Sequence, residues 1–233
     1  MCGLYGIARV VPGYRRFEDF LPYFQDLSTL NESRGGQAYG TGVLTTKDNL
    51  FYKGRGENGS HTVDSAHFSF SPCPPFALLG HTRIATSGTD DELCFHPILT
   101  RDFALAHNGI LLNYKEVAKQ HDISLKIPVD TYVMLKLIEL FHAEGLDVPS
   151  AIAKTCDLIE GGFACWLVAR RTSDIFLFRN MSPLFMSFHP TPDYLSFSST
   201  TFTRSIALKE GQVFQVSPSS HGVVSTFTPK RHY

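Results

Sequence analysis

Apolar residues recur along this chain in two rhythms. Short alternating or continuous apolar runs cover residues 4–11, 42–46, 50–53, 76–79, 103–106, 163–169, 175–179, 184–188, 194–198 and 212–216, and predict strands. The runs at 163–169 and 175–179 are separated by Arg170-Arg171-Thr172-Ser173-Asp174, a turn-like connection that predicts a hairpin. The helical rhythm is rarer. Val133, Met134, Leu137, Ile138 and Phe141 share one face of a helix over 131–143, with Asp130 placed to cap its start and Gly145 to stop it. Ala151, Ile152, Cys156 and Ile159 mark a second helix over 148–159, and 113–120 suggests a short third. Phe17, Phe20, Leu21, Phe24 and Leu27 also follow helical spacing, but Pro22 moves the helix start to near Leu21. Runs of strands with helices grouped between them predict an α+β domain rather than the βαβ alternation of a parallel sheet. Two sheets stacked face to face and flanked by helices fit the pattern.

Composition narrows the picture. At 233 residues the chain suits one domain or two small ones, and it can bury a large core. The one strong punctuation, Ser71-Pro72-Cys73-Pro74-Pro75, is short and reads as a loop. A net charge of −1 without a basic stripe gives nucleic acid nothing to hold. No run of 18 apolar residues is present and the start lacks a signal-peptide pattern, so a cytoplasmic setting without membrane contact is expected. The five cysteines (Cys2, Cys73, Cys94, Cys156 and Cys165) form no C-x-x-C pair. That spacing suggests neither a disulfide framework nor a zinc ribbon. The ten histidines, His61 and His67 included, follow no ligand spacing, so no metal is expected.

The chain opens Met1-Cys2-Gly3. Removal of Met1 leaves a first residue that carries a thiol and a free α-amine. The amine ordinarily titrates at about 7.7–8.0, so nucleophile and proton acceptor would sit on one residue. A small buried cysteine after a start codon is the plainer alternative. Five other segments stand out: Ser33-Arg34-Gly35-Gly36-Gln37-Ala38-Tyr39-Gly40, Gly80-His81-Thr82-Arg83-Ile84-Ala85-Thr86-Ser87-Gly88, Ala106-His107-Asn108-Gly109-Ile110-Leu111-Leu112-Asn113-Tyr114, Val129-Asp130-Thr131 and Glu160-Gly161-Gly162-Phe163-Ala164. By itself Asn108-Gly109 also reads as a hairpin turn, and Asp130 as a plain helix cap.

Taken in order, these segments resemble the class II glutamine amidotransferase domain, a member of the N-terminal nucleophile hydrolases. That domain supplies ammonia in amidophosphoribosyltransferase, glucosamine-6-phosphate synthase and asparagine synthetase B. The resemblance covers residues 2–228, leaving a short tail at 229–233, and implies a four-layer αββα sandwich of two mainly antiparallel sheets. It also implies that Met1 is removed, that Cys2 attacks the side-chain amide of L-glutamine, and that a thioester forms as ammonia leaves. Asn108 and Gly109 match the oxyanion donors, Arg83 the carboxylate anchor, Asp130 the ammonium anchor, and Thr86 and Arg34 further substrate contacts. His81 and His107 read as structural. Gln37, Ser87 and Tyr132 depart from the family pattern. No cofactor is implied. The ammonia acceptor is expected to be a synthase on a separate chain. A hydrolase of another γ-glutamyl amide, or a silent module that binds an amino acid or a partner, are the competing readings.

Overall fold

The computed structural model describes residues 2–10, 21–45, 47–56, 75–84, 91–189, 194–217 and 221–229. One sheet holds β1 (Gly3–Arg9), β2 (Ala38–Leu44), β3 (Asn49–Arg55), β4 (Ala77–Arg83), β9 (Phe185–His189), β10 (Tyr194–Ser198) and β11 (Ile206–Ala207), in the spatial order β11-β9-β10-β1-β4-β2-β3. The other holds β5 (Ile98–Leu99), β6 (Phe103–Leu111), β7 (Gly161–Ala169), β8 (Asp174–Arg179), β12 (Gln212–Val216) and β13 (His221–Thr226), in the order β13-β12-β8-β7-β6-β5. Every strand pairing among the described residues is antiparallel.

Alternation along the strands builds three apolar layers. Leu4 and Ala8 of β1 meet Ala104 and Ala106 of β6, with Trp166 and Leu177, in the core between the sheets. The opposite face of β1, Tyr5 and Ile7, packs on Phe24 and Leu27 of α1 (Leu21–Glu32). The opposite face of β6, Phe103 and Leu105, packs on α3 (Asp130–Ala143) and α4 (Val148–Leu158). The short helix α2 (Tyr114–Gln120) adds Val117 and Ala118 to that layer. The result is the expected αββα sandwich. Trp166 is fully buried between the sheets and donates its indole N–H to the Gly80 carbonyl at 3.2 Å, so its one polar atom is satisfied across the layer.

Several boundaries differ from expectation. β2 starts at Ala38, β4 runs on to Arg83 and β6 runs on to Leu111, because polar or glycine-containing stretches that look irregular in sequence keep their ladder partners. β5 and β11 have two residues each, and β13 is largely exposed, so none leaves an apolar signature. Asp130 is not the cap of α3. It opens the helix, with Val129 in extended conformation ahead of it.

Candidate active site

The site forms where strand ends of both sheets converge. Gly3 pairs with Thr82, which places Cys2 at the rim of β1 beside the end of β4. The Cys2 thiol donates to the Ile84 carbonyl at 3.5 Å. The Cys2 carbonyl accepts from Arg34 Nε at 2.9 Å and from Asn108 Nδ2 at 2.8 Å. Asn108 also donates to Ser199 Oγ at 2.8 Å, and that oxygen accepts the Leu4 N–H at 3.0 Å. Asn108 therefore ties the second sheet to the residues flanking two strands of the first, β1 and β10, and both its amide hydrogens are in use. Burial pushes the Cys2 thiol up from its ordinary value, with the Arg83 and Arg34 guanidiniums pulling the other way. At neutral pH the sulfur is a thiol that needs a base.

Gly109 lies inside β6, with φ +137, and not in a hairpin turn. A side chain there would run into the Gly162 carbonyl, so both the backbone angle and the space require glycine. Past this point the strand opens onto a cavity of about 360 Å³. Cys2, Arg34, Asn108 and Gly109 line it, and Ile110, Leu112 and Met181 give it an exposed apolar rim.

Two expected anchors do not line this cavity. Arg83 is 5% exposed at the end of β4, with its guanidinium 5.4 Å from the centre of the Phe95 ring. Asp130 is 7% exposed. Its Oδ2 accepts the Leu111 N–H at 3.0 Å, and its Oδ1 accepts the Thr131 N–H at 2.8 Å and the Thr131 hydroxyl at 3.3 Å. Met1, His61, His67, Cys73 and Thr86 lie outside the described residues. A larger cavity, about 650 Å³, sits beside α3 and α4 among exposed charged groups and includes none of the expected residues.

Sequence reasoning missed a polar cluster behind the site. His81, His96 and His107 are buried and linked: His96 Nδ1 lies 3.0 Å from His81 Nε2, His96 Nε2 lies 2.9 Å from Thr131 Oγ1, and His107 Nδ1 lies 3.0 Å from the same oxygen. Burial pushes His81 down to about 3 and His96 well below the ordinary range. Burial also lowers His107, with Asp130 opposing. His81 and His107 fall inside the noted segments. His96, in a stretch without periodicity, offered no signal. Among the described residues no group of three or more His, Cys, Asp or Glu side chains is arranged to hold a metal ion, and no helix is long and apolar enough to cross a membrane.

The sequence profile of the family described as "Glutamine amidotransferase domain" matches residues 81–203. Glutamine–fructose-6-phosphate aminotransferase (isomerizing) of Shouchella clausii is 33% identical over 161 residues, which is 66% of this chain and 26% of that protein. The Staphylococcus aureus protein of the same name is 30% identical over 193 residues, 80% of this chain and 30% of its own length. The chain thus spans about a quarter to a third of these curated relatives. The glutamine phosphoribosylpyrophosphate amidotransferase structure from B. subtilis superposes with a TM-score of 0.71 at 19% identity, over 96% of this chain and 49% of that one. A glutamine aminotransferase class-II domain protein from Silicibacter pomeroyi gives 0.62 at 13% identity, over 97% of this chain and all of that one.

Proposed function

The chain belongs to the glutamine amidotransferase domain family, and from that premise we propose that it hydrolyses L-glutamine to L-glutamate and ammonia through a covalent bond to Cys2. The observation that carries the reading is the convergence of Cys2, Arg34 and the adjacent Asn108 and Gly109 on one cavity from three separate segments of the chain. With Met1 removed, the α-amine of Cys2 accepts the thiol proton. That step is needed because burial disfavours the free thiolate. The sulfur adds to the side-chain carbonyl of glutamine, and the developing oxyanion takes hydrogen bonds from the Asn108 amide and the Gly109 N–H. Asn108 must then release one of its two present acceptors, the Cys2 carbonyl or Ser199 Oγ. The protonated amine returns its proton to the departing nitrogen, ammonia leaves, and water cleaves the γ-glutamyl thioester.

Arg34 already holds the Cys2 carbonyl and so fixes the first residue against the cavity. Arg83 is assigned the α-carboxylate of the substrate, Asp130 the α-ammonium and Thr86 a supporting contact. These three roles rest on charge and on the family resemblance, since Arg83 and Asp130 lie outside the cavity lining. We further propose that the ammonia passes to a synthase on a separate chain; the relatives' names, aminotransferase and amidotransferase, support a nitrogen acceptor.

Release of glutamate and ammonia by the purified protein, measured with glutamine and with bulkier γ-glutamyl amides, tests the activity and its substrate together. Glutamine is expected to be preferred. A clear preference for a bulkier amide would replace it as substrate, and release from none of them would remove the hydrolase reading.

A further inference from the structure

The reaction above leaves the buried histidine cluster unused. His81 lies on β4 two residues before Arg83, His107 lies on β6 next to Asn108, and Thr131 follows Asp130 at the head of α3. His96 belongs to none of these elements. It comes from the loop between a single 3-10 turn (Glu92–Cys94) and β5, and it bridges His81 to Thr131. That loop is held from outside. Lys53 Nζ donates to the Phe95 carbonyl at 3.1 Å, and Gly40 of β2 has no side chain where the His96 carbonyl crosses it.

Counting protons gives the cluster a direction. A neutral imidazole has one N–H and one lone pair, and a hydroxyl has one hydrogen and two acceptor sites. Every contact is satisfied when His81 Nε2–H donates to His96 Nδ1, His96 Nε2–H and His107 Nδ1–H donate to Thr131 Oγ1, and the Thr131 hydroxyl donates to Asp130 Oδ1. This arrangement leaves His81 Nδ1 and His107 Nε2 as bare lone pairs, and those are the two ring nitrogens of the cluster without a hydrogen-bond partner. The competing arrangements turn the His107 N–H toward the Gly162 carbonyl, or the His81 N–H toward the His107 carbonyl and Asn108, and divert the Thr131 proton to a neutral ring nitrogen and away from Asp130. Donation from the Thr131 hydroxyl to the charged Asp130 carboxylate is stronger than donation to a neutral imidazole, so the first arrangement wins.

We propose that His96 is a positioning residue which, through Thr131, orients the Asp130 carboxylate that receives the α-ammonium of the substrate. The inference rests on the glutaminase reading and adds a determinant of its preference for an α-amino acid. Asparagine and glutamine at position 96 separate the two contacts, because an asparagine amide mimics Nδ1 and a glutamine amide mimics Nε2. His96→Asn is expected to raise KM for glutamine about tenfold or more, as expected for a lost charge-assisted contact, while kcat holds. His96→Gln keeps the donor to Thr131 and is expected to stay within about threefold of wild type. Thr131→Val, which removes the hydroxyl, is expected to behave like His96→Asn. Hydrolysis of glutaramate, which lacks the α-amino group, is expected to change by less than about threefold in all three.

Equal effects of Asn and Gln, a fall in kcat at constant KM, or matching losses on glutaramate would overturn the assignment while leaving the glutaminase reading in place. A wild-type protein that hydrolyses neither compound would overturn both.

Discussion

β6 is one strand with two halves of opposite character. Residues 103–106 alternate in the way a core strand should, with Phe103 and Leu105 under the helices and Ala104 and Ala106 against the other sheet. Residues 107–111 keep the same partner, β7, in unbroken register, yet they bury a histidine and an asparagine, bend at Gly109 and expose Ile110. The first half is held by burial of apolar area, which any side chain of similar shape supplies. The second is held by specific donors and acceptors reaching it from Cys2 just ahead of β1, the segment after β10, and α3. Stability and chemistry are thus divided along a single strand, and the division can be tested.

The widest separation is expected at Cys2, which the second half faces. Cys2→Ala should lower kcat by about 10⁴-fold or more, as loss of a nucleophile does. Its thermal midpoint should stay close to wild type. Residual turnover near the wild-type rate would move the chemistry elsewhere. Asn108→Ala comes next, with kcat expected to fall about 10²–10³-fold for one oxyanion donor. A loss confined to KM would count against the oxyanion role.

Leu105→Ala, only three residues earlier, reverses the profile. It should cost about 2–5 kcal/mol in a denaturant titration, because the cavity it leaves lies in the packed layer under α3 and α4. Its kcat/KM per folded molecule should remain at the wild-type value. A large kinetic defect there would erase the distinction between the halves.

The smallest effect is one of pH. His81 falls to about 3 in the folded protein, whereas an unfolded histidine titrates near 6.5. Below 6.5 the unfolded chain binds the extra proton, so stability is complete above that pH and declines as pH drops toward 3. At pH 5 the expected loss from His81 is roughly 2 kcal/mol. Denaturant midpoints at pH 7.5 and pH 5 measure it together with the losses from His96 and His107, and His81→Gln should reduce the difference by the His81 share. Equal midpoints in the wild-type protein would mean that the cluster is not neutral.

The same contrast explains what could be read from sequence. Helices α3 and α4 and the first half of β6 were legible to within a residue or two, because burial on one face leaves a period in the chain. The second half of β6 was invisible to that period. Its polar side chains bond to partners 24 to 106 residues away, and no local pattern records them. Asn108-Gly109 looked like a turn for the same reason. The motifs, not the periodicity, pointed to Cys2, Arg34, Asn108 and Gly109, and these four share a cavity. They did not show that both Asp130 oxygens are taken up by neighbouring donors, nor that His96 reaches the same cluster.

The proposed hydrolysis requires the Cys2 sulfur, at a processed chain start, to form the covalent bond to substrate. Intact-mass analysis of the native protein, acid-quenched during turnover of glutamine and followed by peptide mapping, addresses it directly. The expected result is a chain without Met1 that carries one γ-glutamyl group on Cys2. A chain that turns over glutamine while retaining Met1, or that carries the glutamyl group on any other residue, would contradict the mechanism.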